Sequence, residues 1–171
     1  MPYISHASNR HSHEDHGRIG QESQALDSGA ELHSMPPIKT YIVEDSQIIR
    51  ENLIATLEEL VPVEVVGTAE DETTAVQWLT RPNNEFDLVI IDIFLKGGSG
   101  LGVLRAATNL PQRHNLVVLS NYATQDMRRK CLELGADKVF DKSNDIDALI
   151  LYCARLAAGG SGGNSEHGPL S

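Results

Sequence analysis

The chain has 171 residues, 40% hydrophobic content and a formal net charge of -10. That is enough for one domain with its own core, and the acidic balance offers no basic stripe to neutralise phosphates, so no direct DNA binding is expected. No apolar run approaches the roughly 18 residues of a membrane span and no signal-peptide pattern opens the sequence, so a cytoplasmic protein with no membrane partner is expected.

Residues 1–37 are polar, rich in Ser, His, Glu and Gly, and lack sustained periodicity. They read as a disordered tail. The run His11-Ser12-His13-Glu14-Asp15-His16 has metal-binding residue types but no rigid frame, and a solvated tail is the favoured reading. The domain is expected over 38–158. Residues 38–43 read as a short buried strand ending in Glu44-Asp45. Ser46 offers an N-cap, and Ile49, Leu53, Leu57 and Leu60 recur at helical spacing until Pro62. Residues 63–68 form a second strand, and residues 71–79 a helix carrying Ala75, Trp78 and Leu79. The stretch Leu88-Val89-Ile90-Ile91-Asp92 is a third strand, apolar enough to be buried on both faces, that runs into a carboxylate. Lys96-Gly97-Gly98-Ser99-Gly100 needs glycine conformations. A helix over 101–110 ends at Pro111. Residues 115–119 make a fourth strand leading into Ser120-Asn121. A helix over 124–134 stops at Gly135. Residues 138–140 make a fifth strand, followed by Asp141-Lys142-Ser143, and a last helix spans 145–158. Residues 159–171 open with a Gly-rich run and read as a flexible tail. Cys131 and Cys153 fall inside helical patterns with no metal-motif spacing and read as buried, reduced thiols.

Five strands alternating with five helices, each crossover of βαβ length, predict an α/β fold. The expected architecture is a doubly wound five-stranded parallel sheet, flavodoxin-like order 2-1-3-4-5, with helices on both faces. The carboxyl ends of strands one, three, four and five then share a rim carrying Glu44 and Asp45, Asp92, Ser120 and Lys142. Neighbouring strands lie ~4.8 Å apart, so Asp45 and Asp92 come within reach of one ion. Two carboxylates ~4 Å apart repel by about 4 kcal/mol at an effective dielectric of 20. A hard divalent cation with oxygen ligands relieves that repulsion, and Mg2+ suits the site. With Lys142 and Ser120 beside it, Asp92 is equipped as a nucleophile toward phosphorus, giving an aspartyl phosphate.

Val43-Glu44-Asp45, Ile91-Asp92-Ile93-Phe94-Leu95, Gly98-Ser99-Gly100-Leu101, Leu119-Ser120-Asn121, Gly135-Ala136-Asp137 and Asp141-Lys142-Ser143 form a set that resembles the receiver domain of bacterial two-component response regulators. The resemblance implies that Asp92 accepts a phosphoryl group from a sensor histidine kinase or histidine phosphotransfer protein. It also implies Mg2+ held by Asp45, Asp92 and the Phe94 backbone carbonyl, with Glu44 acting mainly through water. Ser120 would hydrogen-bond the phosphoryl group, and Lys142 would pair first with Asp92 and then with the phosphate. Tyr122 and Phe94 stand at positions that tune hydrolysis of the acyl phosphate, and their bulk is expected to shield it. Three positions depart from the family pattern. Glu44 stands where Asp is frequent, which predicts altered metal affinity. Ser143 stands where proline, often cis, is common. Val139 occupies the usual aromatic switch position with Phe140 beside it, so a coupled ring flip with Ser120 does not carry over directly.

With no output domain apparent, a stand-alone receiver is expected to signal by binding an unknown downstream protein or by passing the group onward. On the first helix, Ile48, Asn52 and Ala55 lie off the core stripe and are candidates for docking the kinase. On the last helix Ile146, Leu149, Ile150 and Cys153 are expected to face the core. Leu151, Tyr152 and Arg155 would then point elsewhere, as a partner or homodimer face. An aspartate-nucleophile phosphohydrolase would want a second Asp where Phe94 stands, so no enzyme turnover is expected. A flavodoxin-type cofactor site would want a neutral, anion-cradling loop after strand one, where Glu44-Asp45 would repel a phosphate group unless a metal intervened. The remaining alternative is a receiver-like interaction module that works without phosphorylation.

Overall fold

The computed structural model describes residues 36–112, 114–121 and 123–159. The tails read from the sequence, with their histidines, and Tyr122 lie almost wholly outside that set. Ten elements alternate: β1 Ile38–Val43, α1 Gln47–Leu60, β2 Val63–Ala69, α2 Glu72–Leu79, β3 Leu88–Ile91, α3 Gly100–Thr108, β4 Asn115–Ser120, α4 Gln125–Glu133, β5 Lys138–Asp141 and α5 Ile146–Ala157. All pairings are parallel, and the strand order is β2-β1-β3-β4-β5. This is the order expected from the sequence.

The central strands carry apolar side chains on both faces because both faces are covered. On one face Leu53 and Leu57 of α1 and Leu149, Tyr152, Cys153 and Leu156 of α5 pack over Ile42, Ile90, Val117 and Leu119. On the other, Ala75 and Leu79 of α2, Val103, Leu104 and Ala107 of α3 and Cys131 of α4 cover Val43, Ile91 and Val118. Burying each large side chain contributes roughly 1.5–3 kcal/mol. Both cysteines are buried and free, as expected.

Helix ends follow local chemistry. The Ser46 hydroxyl accepts from Ile49 N–H, Asp71 caps α2 through Thr74 N–H, and Thr124 caps α4 through Met127 N–H. Gly135 stops α4 at φ +111, and a Cβ there would collide with the Thr108 side chain.

The sequence assigned two helix faces and one helix end wrongly. Tyr152 is buried, at 5% exposure. It stands three residues from Leu149 and one before Cys153, so it belongs to the core stripe. There its ring meets Phe140 edge-on, and its hydroxyl donates to Asn115 Oδ1 at 3.4 Å. Ile146 and Ile150 are only partly buried and flank that stripe. On α1, Ile49 and Leu60 were expected in the core but are 37% and 59% exposed. Val61, beyond the helix, fills the place predicted for Leu60. Finally, α3 ends at Thr108 rather than 110, with Asn109 as its C-cap.

Candidate phosphoacceptor site

Parallel register brings the carboxyl ends of four strands together. Val43 pairs with Ile91, Ile91 with Val118, and Ser120 with Asp141. The chain just past each end is pinned to its neighbour. Asp92 N–H donates to Val43 O at 2.9 Å, Glu44 N–H to Ala69 O at 2.9 Å, and Lys142 N–H to Ser120 O at 3.0 Å. These backbone bonds fix the starting points of Glu44, Asp45, Asp92, Ser120 and Lys142. All five residues expected from the sequence therefore reach one rim.

Glu44, Asp45 and Asp92 each offer a carboxylate oxygen, and these atoms lie within 4.8 Å of one another. An all-oxygen, negatively charged set of this kind fits a hard divalent cation such as Mg2+. Glu44 and Asp92 are buried while Asp45 is half-buried, so the cluster opens to solvent on the Asp45 side.

Lys142 Nζ donates to Asp92 Oδ2 at 2.9 Å and also to Glu44 Oε1. Only the pair with Asp92 was legible beforehand. Glu44 is held further by Ser46 N–H, which donates to Oε2 at 3.0 Å. Burial pushes the Glu44 carboxyl above its usual pKa, the Lys142 and Ser46 hydrogen bonds pull it down, and the Asp92 charge adds to the rise. For Lys142, burial alone would lower the pKa, but its two carboxylate partners outweigh burial and raise it. Lys142 is thus held as an ammonium between two buried carboxylates.

Asp92 Oδ1 accepts from Phe94 N–H at 3.2 Å, while the Phe94 ring is half exposed over the loop. The Ser120 hydroxyl is fully buried at the end of β4. Val139 faces the α2/α3/α4 side of the sheet, whereas Phe140 points to the α1/α5 side. The aromatic ring is therefore on the wrong face to replace Val139. No cis peptide occurs among the described residues, the Lys142–Ser143 bond included.

Two arginines near the site had no sequence signal. Arg50 on α1 donates through Nη1 to Glu44 O at 2.8 Å, tying the helix to the loop that carries the acidic pair. Arg128 on α4 donates to Ala123 O, Val139 O and Asp145 Oδ2, bridging the loop after β4 to β5 and the start of α5.

The sequence model described as the response regulator receiver domain matches residues 40–154. A protein-glutamate methylesterase/protein-glutamine glutaminase from Myxococcus xanthus is 29% identical over 117 residues, covering 68% of this chain and 33% of that protein. The chain thus spans about a third of the length of the methylesterase relatives it matches. The phosphorylated cyanobacterial phytochrome response regulator RcpA superposes with a TM-score of 0.58 at 26% identity, covering 70% of this chain and 91% of that one. The response regulator domain of CheB from Thermotoga maritima does so with a TM-score of 0.63 at 19% identity, covering 73% and 98%.

Proposed function

Because the chain belongs to the response regulator receiver family of two-component systems, we propose that it is a Mg2+-dependent phosphoacceptor whose reacting group is Asp92. The donor in this reading is a phosphohistidine on a sensor histidine kinase or a histidine phosphotransfer protein. The observation that carries it is the buried Asp92 carboxylate, bonded to Lys142 and lying within 4.8 Å of the carboxylate oxygens of Asp45 and Glu44. A carboxylate so placed has a fixed orientation and positive charge beside it, the two needs of phosphoryl transfer. The relative described as phosphorylated supports the reading at 26% identity.

One Asp92 oxygen forms a bond to phosphorus as the donor's P–N bond breaks. The imidazole nitrogen leaves with that electron pair and takes up a proton. Asp45, Asp92 and the Phe94 carbonyl would hold Mg2+, with Glu44 nearby, and the bound cation supplies positive charge for the phosphoryl oxygens. Lys142 exchanges Asp92 for a phosphoryl oxygen and keeps its contact with Glu44. The Ser120 hydroxyl, at the end of β4, donates to another phosphoryl oxygen. Half-exposed Phe94 screens the product acyl phosphate from water.

Docking of the donor is assigned to α1. Ile48 is 73% exposed, Asn52 and Ala55 are exposed beside it, and a cleft of about 360 Å³ lined by Ile49, Asn52, Thr56, Lys142 and Ile146 runs from that helix to the site. Leu151 on α5 remains as an exposed apolar contact for a downstream protein or a second copy. The output, by contact or by onward transfer, is assigned to the receiver unit over 38–158, and a cytoplasmic location belongs to the same reading. Among the described residues no helix is long and apolar enough to cross a membrane.

The test uses phosphoramidate, a small donor with the same P–N bond. After incubation with Mg2+, borohydride reduction and peptide mapping should mark residue 92 alone. Modification at another residue, or none, overturns the assignment and favours a receiver-like module that works without phosphorylation.

A further inference from the structure

One contact ties the loop after β3 to a helix that supplies no carboxylate to the acidic cluster. Glu72, the first residue of α2, donates its backbone N–H to Gly97 O at 2.9 Å. Its side-chain Oε1 accepts from Ser99 N–H at 2.8 Å. Asp71 beside it forms a parallel bridge with Gly97, and Ser99 forms an antiparallel bridge with Phe94. Gly100 N–H donates to Ile93 O at 2.9 Å, and Phe94 N–H donates to Asp92 Oδ1. Contacts therefore run without a gap from Glu72 through Ser99 and Phe94 to the Asp92 carboxylate.

The surroundings leave room for this carboxylate and little else. Gly98 sits at φ +79, and a Cβ there would come within 2.5 Å of Glu72 Cβ. A Cβ on Gly102 would lie 2.1 Å from Glu72 Oε2. One glycine in the loop and one in the first turn of α3 thus bound the space that the carboxylate fills. Charge favours the same seat. The first turn of a helix prefers a negative neighbour, and α3 has no acidic residue in its own first turn. Glu72 brings that charge from α2. Ser99 Oγ already caps α3 by accepting from Leu101 N–H, so residue 99 is held by its backbone from one side and its side chain from the other.

The geometry points to Glu72 as a positioning residue that holds the loop over 94–99, keeps the Phe94 backbone beside Asp92, and so sets how tightly the acidic cluster binds a divalent cation. This rests on reading that cluster as a cation site. Glu72 acts through Ser99, and the glycines at 98 and 102 are part of the device because they make the seat.

Three variants separate positioning from stability. Glu72→Ala removes the acceptor and the charge, while Glu72→Gln keeps an acceptor oxygen. Gly102→Ala keeps the Glu72 carboxylate but displaces it by filling its seat, while giving α3 a better helix former. For each full chain, Mg2+ affinity is measured by calorimetry, amide exchange at Phe94 and Ser99 in metal-free protein, and Tm by thermal unfolding. Glu72→Ala and Gly102→Ala should weaken Mg2+ binding by about tenfold, as loss of an outer-shell partner does, with Glu72→Gln within about threefold of wild type. The first two should also exchange faster at Phe94 and Ser99, and Gly102→Ala should do so with no fall in Tm. A lower Tm with unchanged Mg2+ affinity and unchanged exchange overturns the inference. If Glu72→Ala does not fold, the other two variants decide it. If the wild type itself binds no Mg2+, the cation reading fails, and exchange at Phe94 decides the role of Glu72: faster in Gly102→Ala upholds it as the residue that holds the loop, unchanged refutes it.

Discussion

Lys142→Met keeps most of the side-chain volume and removes the charge that Glu44 and Asp92 share. All three side chains are nearly closed to solvent, at 10%, 3% and 8% exposure. Taking one partner from a buried ion pair costs about 3–5 kcal/mol. The repulsion left behind is of the same size: at the 4.8 Å span of the ligand atoms, two carboxylates repel by about 3.5 kcal/mol at an effective dielectric of about 20. The variant should therefore lose about 3–4 kcal/mol in metal-free buffer. A divalent cation replaces the missing charge, so Mg2+ should restore more stability to Lys142→Met than it adds to the wild type. A ligand at 100 times its Kd adds about 2.7 kcal/mol. Urea unfolding followed by the fluorescence of Trp78, the single tryptophan, in EDTA and in saturating Mg2+ measures both effects. A metal-free loss below about 1 kcal/mol, the worth of a surface pair, would refute the reasoning, as would equal Mg2+ shifts in the two proteins.

Other outcomes follow from the same geometry. The Glu44 carboxyl is raised above its ordinary pKa, first by burial. A group shifted that way costs stability once the pH rises above its unfolded range, so Glu44→Gln should raise the metal-free urea midpoint at neutral pH while weakening Mg2+ binding. Leu57 is fully buried, and Leu57→Ala should cost about 2–5 kcal/mol. Leu151→Ala on the exposed side of α5 should stay within about 0.5 kcal/mol. Tyr152→Ala should cost about 3–5 kcal/mol, a loss read by urea titration that an exposed tyrosine would not show. Burial pushes the Cys153 thiol up to about 12 and also raises that of Cys131, so neither should react with iodoacetamide at neutral pH until urea unfolds the chain, as intact mass would report.

What the sequence made legible was whatever a single strand or its end encodes. Leu88-Val89-Ile90-Ile91 could only be a strand covered on both faces, and a carboxylate after it had to lie on the rim. Once the crossovers fixed a parallel sheet, Glu44, Asp45, Ser120 and Lys142 had to join Asp92 there. Apart from the Lys142–Asp92 pair, which the family resemblance implied, long-range side-chain partners were not legible. The Glu44–Lys142 contact spans 98 residues and Glu72–Ser99 spans 27, and no periodicity links such pairs. Helix faces failed where two stripes overlap. On α5, the buried pair Leu149 and Cys153 can be flanked by Tyr152 and Leu156 or by Ile146 and Ile150, and the sheet chose the first by offering Phe140 and Asn115 to the tyrosine. On α1, apolar Ile49 and Leu60 fit the core period, yet both lie at the ends of the helix and stand exposed.

Intact mass after incubation with a small phosphoryl donor addresses the central claim most directly, run with Mg2+ and with EDTA on wild type and Asp92→Asn. The account predicts one phosphoryl group per chain, formed only with Mg2+, lost in mild base and absent from Asp92→Asn. A wild type that stays unmodified in Mg2+, or an Asp92→Asn protein that gains the same adduct, would contradict it.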